Sequence, residues 1–296
     1  MPLPSMTRPI VLVAAPALVA CARVAPPASS PPSADDALAR MRATYACANG
    51  VQASAKIDHV GDGGRARADM LLYAARPARL RMDVVSPFGA AVATLTSDGS
   101  KFALSDLRGK RFFVGPASAC NIARFTTVAV PGHAFVDLLR GEAPVLKHQA
   151  VGTAIVWSPQ GYWVLSIGGS RDAHEEIHMA PTPEDWTLPW DRQRMRILDV
   201  RVEQQGFVLY HAELSDHSAA ATAGPRLDPD GLSPPLPPSG PECHAEIPRK
   251  IHVEVRSPAS DVRFLYRDVH WNPPLPADVF DQQPPPGMTI EPVTCE

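Results

Sequence analysis

The segment from 174 to 178 combines residue types that could bind a metal, because it reads His174-Glu175-Glu176-Ile177-His178. In a helix this HExxH spacing would place both histidines on one face to bind zinc, with a glutamate as the general base. The flanking residues favour a strand instead, since two glycines precede the segment and two prolines follow it closely. A strand turns Glu175 and Ile177 to one face and the histidines to water. We therefore predict no metal site and no catalytic site, and a zinc hydrolase remains a remote alternative.

A cysteine at position 21 could carry a lipid. The apolar run from Ile10 to Ala20 follows Arg8 and is shorter than the roughly 20 residues that span a bilayer. It ends in Leu18-Val19-Ala20-Cys21, which resembles the lipobox of bacterial lipoproteins. The resemblance implies a signal peptide over 1–20, cleavage before Cys21, a diacylglyceryl thioether on its sulfur and an acylated amine. The alternative is an ordinary secretory signal.

Residues 21–36 follow as a proline-rich segment with little to bury, which predicts an extended tether between the lipid anchor and a folded domain at 37–296. At about 3.1 Å per residue the tether could hold the domain up to roughly 45 Å from the bilayer.

Four further cysteines remain in an exported chain, which favours two disulfides. Three pairings of four cysteines exist, and no Cys-x-x-Cys pair points to zinc or thiol redox chemistry. From the order of the segments we expect Cys47 to pair with Cys120, and Cys243 with Cys295.

Alternation of apolar and polar residues dominates the folded domain. Three segments are clear half-buried strands, at 79–84, 198–203 and 251–256, and the first places Leu80, Met82 and Val84 on one face. Weaker strand patterns lie at 51–59, 66–74, 92–97, 101–105, 111–114, 155–167, 175–180, 207–214 and 262–270. About a dozen antiparallel strands with one apolar face must curl or pack around something.

Two helices interrupt this pattern. One begins near Ser33 and is expected to end at Asn49-Gly50, and the other follows Pro131 and ends before Gly141. The second is amphipathic, with Phe135, Leu138 and Leu139 on one face, and could cap the mouth of an open barrel. A helix packed on a core without a cavity is an equal alternative. Residues 222–241 are rich in proline and read as a solvated loop.

The composition excludes several classes of protein. The 296 residues are 45% hydrophobic, and 33 are proline, which argues against a helical bundle. A formal charge of −3 provides no basic surface for nucleic acid. No Gly-x-Ser-x-Gly elbow and no phosphate-binding glycine loop occurs, so we expect neither an enzyme nor a cofactor.

Several short motifs in order along the chain resemble the LolB-type outer-membrane lipoprotein receptors and their LolA relatives. The resemblance covers roughly residues 38–288 and is carried by the following motifs: Arg79-Leu80-Arg81-Met82-Asp83, Ser86-Pro87-Phe88-Gly89, Val130-Pro131-Gly132, Leu138-Leu139-Arg140-Gly141-Glu142-Ala143-Pro144, Phe264-Leu265-Tyr266-Arg267-Asp268-Val269, Asn272, Phe280 and Pro284-Pro285-Pro286-Gly287. It implies a mainly β fold, in which a curved antiparallel sheet forms an unclosed half-barrel with a helical lid, preceded by an N-terminal helix. The sequence departs from the family in its length, its proline-rich loop and its four extra cysteines.

The resemblance also implies a site. An apolar cavity would hold acyl chains, lined or covered by Leu80, Met82, Val84, Phe135, Leu138 and Leu139. The turn after the third strand would touch the membrane through Phe88, held between Pro87 and Gly89. An alternative is that Phe88 folds back into the core.

These expectations combine into one functional hypothesis. The chain would be an outer-membrane-anchored lipoprotein of the bacterial envelope, facing the periplasm, that binds acylated clients and helps to localise them. Its partners would be the bilayer through Cys21, the acyl chains of client lipoproteins and a soluble LolA-like carrier, without nucleic acid. The main alternative is an envelope lipoprotein that uses the same scaffold for protein interaction.

Overall fold

The computed structural model of the protein describes residues 23–61, 63–126, 128–256 and 259–295. Three α-helices are present in these residues, α1 (Ala34–Thr44), α2 (Ala119–Thr126) and α3 (Gly132–Leu139). The remaining regular structure is one sheet, whose strands are β1 (Gly50–Gly61), β2 (Gly64–Ala75), β3 (Arg79–Val85), β4 (Ala91–Ser97), β5 (Lys101–Asp106), β6 (Arg111–Pro116), β7 (Thr153–Ser158), β8 (Tyr162–Gly168), β9 (Ala173–Pro181), β10 (Met195–Gln204), β11 (Phe207–Ala219), β12 (Ala221–Thr222), β13 (Glu246–Arg256), β14 (Ala259–Trp271) and β15 (Thr289–Pro292).

The sheet is curved and does not close. Its strand order is β15-β6-β5-β4-β3-β2-β1-β14-β13-β11-β10-β9-β8-β7, and β12 pairs beside β14. Neighbouring strands are antiparallel except β15 with β6 and β12 with β14. The long β1–β14 ladder joins the two halves of the chain. The predicted mainly β, unclosed sheet with few helices is confirmed.

The alternating segments form the strands because each can bury one face. In β3 Leu80 and Met82 are buried, whereas Arg79 and Arg81 lie on the outer face and are half-exposed. One predicted strand, 155–167, is instead the β7–β8 hairpin, because Gly161 makes a turn with a φ of 102°. Helix α2 and strands β12 and β15 were not predicted.

Helix α1 begins as predicted, with the Ser33 hydroxyl accepting a hydrogen bond from the Asp36 N–H at 3.1 Å. It ends at Thr44, so the predicted end at Asn49-Gly50 was wrong. The buried amide of Asn272 explains the early end. Its Oδ1 accepts from the N–H groups of Asn49 and Gly50, and its Nδ2 donates to the carbonyl of Cys47 at 2.8 Å. These bonds hold residues 47–50 in a non-helical path.

Helix α3 lies against the inner face of the sheet and is held there by buried charges. Arg140, directly after the helix, is fully buried and pairs with Asp137 and Glu142, each at 3.1 Å. The same guanidinium donates to the carbonyl of Ala48, and Glu142 also pairs with Arg76. A buried guanidinium is tolerated only when acids and carbonyls replace its lost water. The network therefore ties α3 to the end of the segment that follows α1.

Two disulfides are present, but the expected pairing of Cys47 with Cys120 and Cys243 with Cys295 was wrong. Cys47 pairs with Cys243, and Cys120 pairs with Cys295. The physical reason is the sheet topology. Cys243 lies just before β13, near the end of the segment after α1, whereas the C-terminal tail runs as β15 beside β6, close to α2.

The described part of the tether lies against the domain rather than extending into solvent. The Val24 N–H donates to the Pro159 carbonyl at 2.9 Å, and Trp157 Nε1 donates to the Val24 carbonyl at 3.0 Å. Further along, the Ser29 hydroxyl accepts from the Trp190 N–H at 2.9 Å. In contrast, most residues of the proline-rich loop at 222–241 are exposed.

Candidate functional site

Two cavities open on the inner side of the sheet, one in each half. The first, which we name the Met82 cavity, has a volume of about 420 Å³. It lies between β1–β6 and β14, and its apolar wall consists of Ile57, Met70, Met82, Val84, Leu95, Leu104, Phe113 and Phe264. Its charged lining residues, Arg67, Asp106 and Arg111, lie at the ends of their strands. The lining of this cavity is thus mainly apolar, with His59 and Thr126 as its uncharged polar residues.

The second cavity, which we name the Glu175 cavity, has a volume of about 660 Å³. It lies between the start of α3, the 143–146 segment and strands β9–β11. Most of its lining is apolar, and the polar lining residues are His133, Glu175, Tyr210 and Arg256. Both volumes lie in the range of about 300–1,000 Å³ that is usual for small-molecule sites.

The structure places the predicted lining residues in two different settings. Met82 and Val84 line the Met82 cavity. Leu80 is buried in the core, and so are Phe135, Leu138 and Leu139 of α3. The Phe135 ring packs on Phe264 with a centroid separation of 5.9 Å. The centre of the half-barrel is therefore filled by α3, and the open space lies to either side.

Both cavities reach the same end of the sheet. The antiparallel register brings six turns to this end, namely β1–β2, β3–β4, β5–β6, β8–β9, β10–β11 and β13–β14. We call this end the hairpin rim. Arg67 and Arg111 line the Met82 cavity near the rim, and Phe207 and Arg256 line the Glu175 cavity there.

The rim exposes large apolar side chains. The turn Ser86-Pro87-Phe88-Gly89 is closed by a 2.9 Å hydrogen bond from the Gly89 N–H to the Ser86 carbonyl, and Gly89 has a φ of 82°. Phe88 at its tip is 96% exposed, so it does not fold back into the core. Phe207 after the β10–β11 turn is 74% exposed.

Phe207 was missed in the sequence analysis. The sequence signal was Gly206 between two alternating segments, which predicts a hairpin turn directly before Phe207. In the structure Gln205 and Gly206 both have positive φ. In Ser86–Gly89 the phenylalanine precedes the glycine, so the two turns share an exposed phenylalanine beside a glycine with positive φ.

Exposed cations lie on the same turns. Arg108 and Lys110 belong to the β5–β6 turn, Arg171 lies next to Asp172 in the β8–β9 turn, and Arg256 ends β13. Within the described parts of the chain, none of these four cations forms an ion pair with an acidic side chain. The rim thus combines apolar tips with available positive charge.

Glu175 is the buried acid of the second cavity. Strand β9 alternates as predicted, so that Glu175, Ile177 and Met179 are almost fully buried. Oε2 of Glu175 accepts a hydrogen bond from the Leu146 N–H at 2.8 Å. Burial raises the pKa of this carboxyl to about 7, although the Leu146 hydrogen bond opposes the shift.

The two histidines of the 174–178 motif do not form a zinc site. They lie on the outer face of β9, four residues and therefore about 13 Å apart along the strand. His174 is exposed, and His178 stacks on Tyr162 and lies 2.7 Å from Glu176. Among the described residues two other groups have metal-ligand spacing, Asp199 with His211 and Glu213, and His252 with Glu254 and Asp261. Both lie on the outer face, where the side chains already pair with one another.

The lipidation residue Cys21 and the predicted signal peptide lie outside the described residues. In the part of the chain that is described, no helix is long and apolar enough to cross a bilayer.

Comparison with known proteins gives distant structural similarity only. No family model matches the sequence, and no curated protein is significantly similar to it. A Vibrio parahaemolyticus domain named for outer membrane lipoprotein sorting is 9% identical with a TM-score of 0.44, and the match covers 84% of this chain and 97% of that chain. A DUF1329 family protein from Desulfovibrio piger is 9% identical with a TM-score of 0.49, covering 84% and 95%. A LolA superfamily protein from Nitrosomonas europaea is 11% identical with a TM-score of 0.47, covering 84% and 98%.

The raised pKa of Glu175 predicts a specific pH dependence of stability. The unfolded carboxyl titrates near 4.5 and the folded one near 7, so the folded state holds the proton more tightly. Stability therefore falls as the pH rises from about 4.5 to about 7, by up to about 3 kcal/mol from this group. Glu175→Gln removes this loss, because the amide does not titrate.

Urea denaturation of wild type and Glu175→Gln at pH 4.5, 6 and 8 measures the effect. We expect the variant to gain stability relative to wild type with rising pH. Asp137, whose pKa burial also raises to about 7, is present in both proteins and cancels in the comparison. A difference that stays constant with pH would contradict this account of Glu175.

Proposed function

We propose that the protein is an envelope lipoprotein that binds the acyl chains of client lipoproteins and helps to localise them to the outer membrane. The observation that carries the proposal is the Met82 cavity, an apolar space that reaches a rim with exposed phenylalanines. Lipid anchoring at Cys21, the outer-membrane location and the soluble carrier as donor follow from the sequence resemblance and belong to the same proposal.

The cavity supplies binding without catalysis. Each methylene removed from water contributes about 0.8 kcal/mol, so even part of an acyl chain gains several kcal/mol. Insertion of the same acyl chain into a bilayer releases a similar free energy. Transfer therefore needs no energy source at this step, only contact between the cavity mouth and the membrane.

The hairpin rim fits that contact. Phe88 and Phe207 would enter the interface between headgroups and acyl chains, where amphipathic surfaces gain apolar contact. The unpaired rim cations Arg108, Lys110, Arg171 and Arg256 would lie near anionic lipid headgroups, which attract basic residues by about 1 kcal/mol each.

The docked tether gives the molecule an orientation. Val24 binds at the β7–β8 turn, which lies at the end of the sheet opposite the hairpin rim. With the tether docked, an anchor at Cys21 would leave the rim facing away from the anchoring bilayer, where it can receive clients. Release of residues 24–33 would provide about 30 Å of extended chain and let the rim turn towards the membrane.

Filling the Met82 cavity should abolish acyl binding. Ala68 lines the cavity on β2, and Ala68→Trp would place an indole in the space proposed to hold the acyl chain. We expect at least a tenfold weaker affinity for a fluorescent diacylated cysteine peptide, measured by fluorescence anisotropy. Ala154→Trp on β7, where the side chain is exposed, is the matched control and should bind normally. Equal binding by both variants would favour a scaffold for protein interaction.

Phe88→Glu should separate binding from delivery. Because Phe88 is almost fully exposed, the substitution should leave the free energy of unfolding unchanged within about 0.5 kcal/mol. Transfer of a bound acylated peptide to anionic vesicles should fall at least tenfold, since a carboxylate replaces the apolar tip. Leu232→Glu, 87% exposed on the proline-rich loop, is the control. Undiminished transfer by Phe88→Glu would remove the rim from the delivery step.

A further inference from the structure

The Glu175 cavity has a fully buried acid, whereas the acid of the Met82 cavity, Asp106, lies at the end of β5 and is partly exposed. The wall of the Glu175 cavity contains this carboxyl group, which is 1% exposed and lies on β9 opposite Val202 of β10. A buried carboxyl group does not help a cavity to bind hydrocarbon, and its desolvation lowers the stability of the fold. The position of Glu175 therefore points to a ligand with a polar group.

Only one of the two carboxyl oxygens of Glu175 has a hydrogen-bond partner among the described residues. Oε2 accepts from the Leu146 N–H, whereas Oε1 is buried and has no hydrogen-bond partner. Within the described residues no cation forms an ion pair with Glu175, and Arg256, the cation among the cavity-lining residues, is exposed at the rim. Glu175 thus lines the cavity with a carboxyl group whose buried Oε1 has no donor.

We propose that the Glu175 cavity is a second ligand site, which binds an amphiphile with one apolar chain and an ammonium group. The ammonium donates a hydrogen bond to Oε1 of Glu175, and the chain lies along Val145, Val202, Val208 and the start of α3. This site is independent of the acyl-chain site proposed for the Met82 cavity.

The chemistry of the cavity favours an ammonium over other head groups. An ammonium supplies both the missing donor and a charge opposite to the carboxylate, and such charge-assisted hydrogen bonds are about twice as strong as neutral ones. A carboxylate or phosphate head would lie against the buried acid and be repelled by it. A neutral amide N–H would satisfy the donor requirement but would leave the buried charge uncompensated.

Three probes with equal chains test the head group, namely dodecylamine, N-methyldodecanamide and dodecanoate. The full chain is kept in solution by an amphipathic polymer, so that no detergent competes for the cavity, and binding is measured by isothermal titration calorimetry at pH 8. The polymer itself takes up some probe, but it is the same for wild type and variants, so this background cancels when their affinities are compared. We expect dodecylamine to bind at least tenfold more tightly than the other two probes.

Matched variants assign the binding to the cavity. Glu175→Gln should weaken dodecylamine binding at least tenfold, and Glu176→Gln, on the outer face of the same strand, should leave it unchanged. Val208→Trp should abolish dodecylamine binding by filling the cavity. Ala68→Trp should leave dodecylamine binding unchanged. The effect of the same variant on acyl-peptide binding therefore tests the Met82 cavity separately. Equal affinity for the three probes, or an unchanged affinity in Glu175→Gln, would overturn the proposal.

Discussion

The guanidinium of Arg140 is buried at the end of α3, where Asp137, Glu142 and the Ala48 carbonyl surround it. Burying a cation is costly, so the compensating groups must stay in place and α3 must stay with them. The helix consequently fills the centre of the curved sheet with Phe135, Leu138 and Leu139. An unclosed sheet of this width cannot pack one helix against all its strands, and the space left on either side forms the two cavities.

The direction of the strands then decides where the cavities open. Successive antiparallel hairpins place their turns alternately at the two ends of the sheet, and both cavities reach the end that carries Phe88 and Phe207. The tether docks at the opposite end, through Val24 and Ser29. A largely apolar interior is thus combined with an apolar rim at one end of the sheet and the docked segment of residues 24–29 at the other.

Much of this arrangement could be predicted from local patterns. The alternation in β3 places Met82 and Val84 on the inner face, and the Pro87–Gly89 turn exposes Phe88. The cysteine pairing could not be predicted, because it depends on which distant strands are neighbours, as with β6 and β15. Docking of the tether depends on contacts with Pro159 and Trp190 that leave no trace in its own composition. For Glu175, alternation predicts an inward side chain, but only the fold shows that a cavity lies in front of it.

The central claim is that hydrocarbon occupies the inner side of the sheet. The most direct measurement uses a diacylated cysteine peptide with a photoreactive group at the end of one acyl chain, followed by mass spectrometry of the labelled protein. The account predicts adducts on residues of the Met82 cavity, such as Met70, Met82 and Leu95. Labelling confined to the outer face, for example at the exposed Leu71 and Leu265, would contradict it.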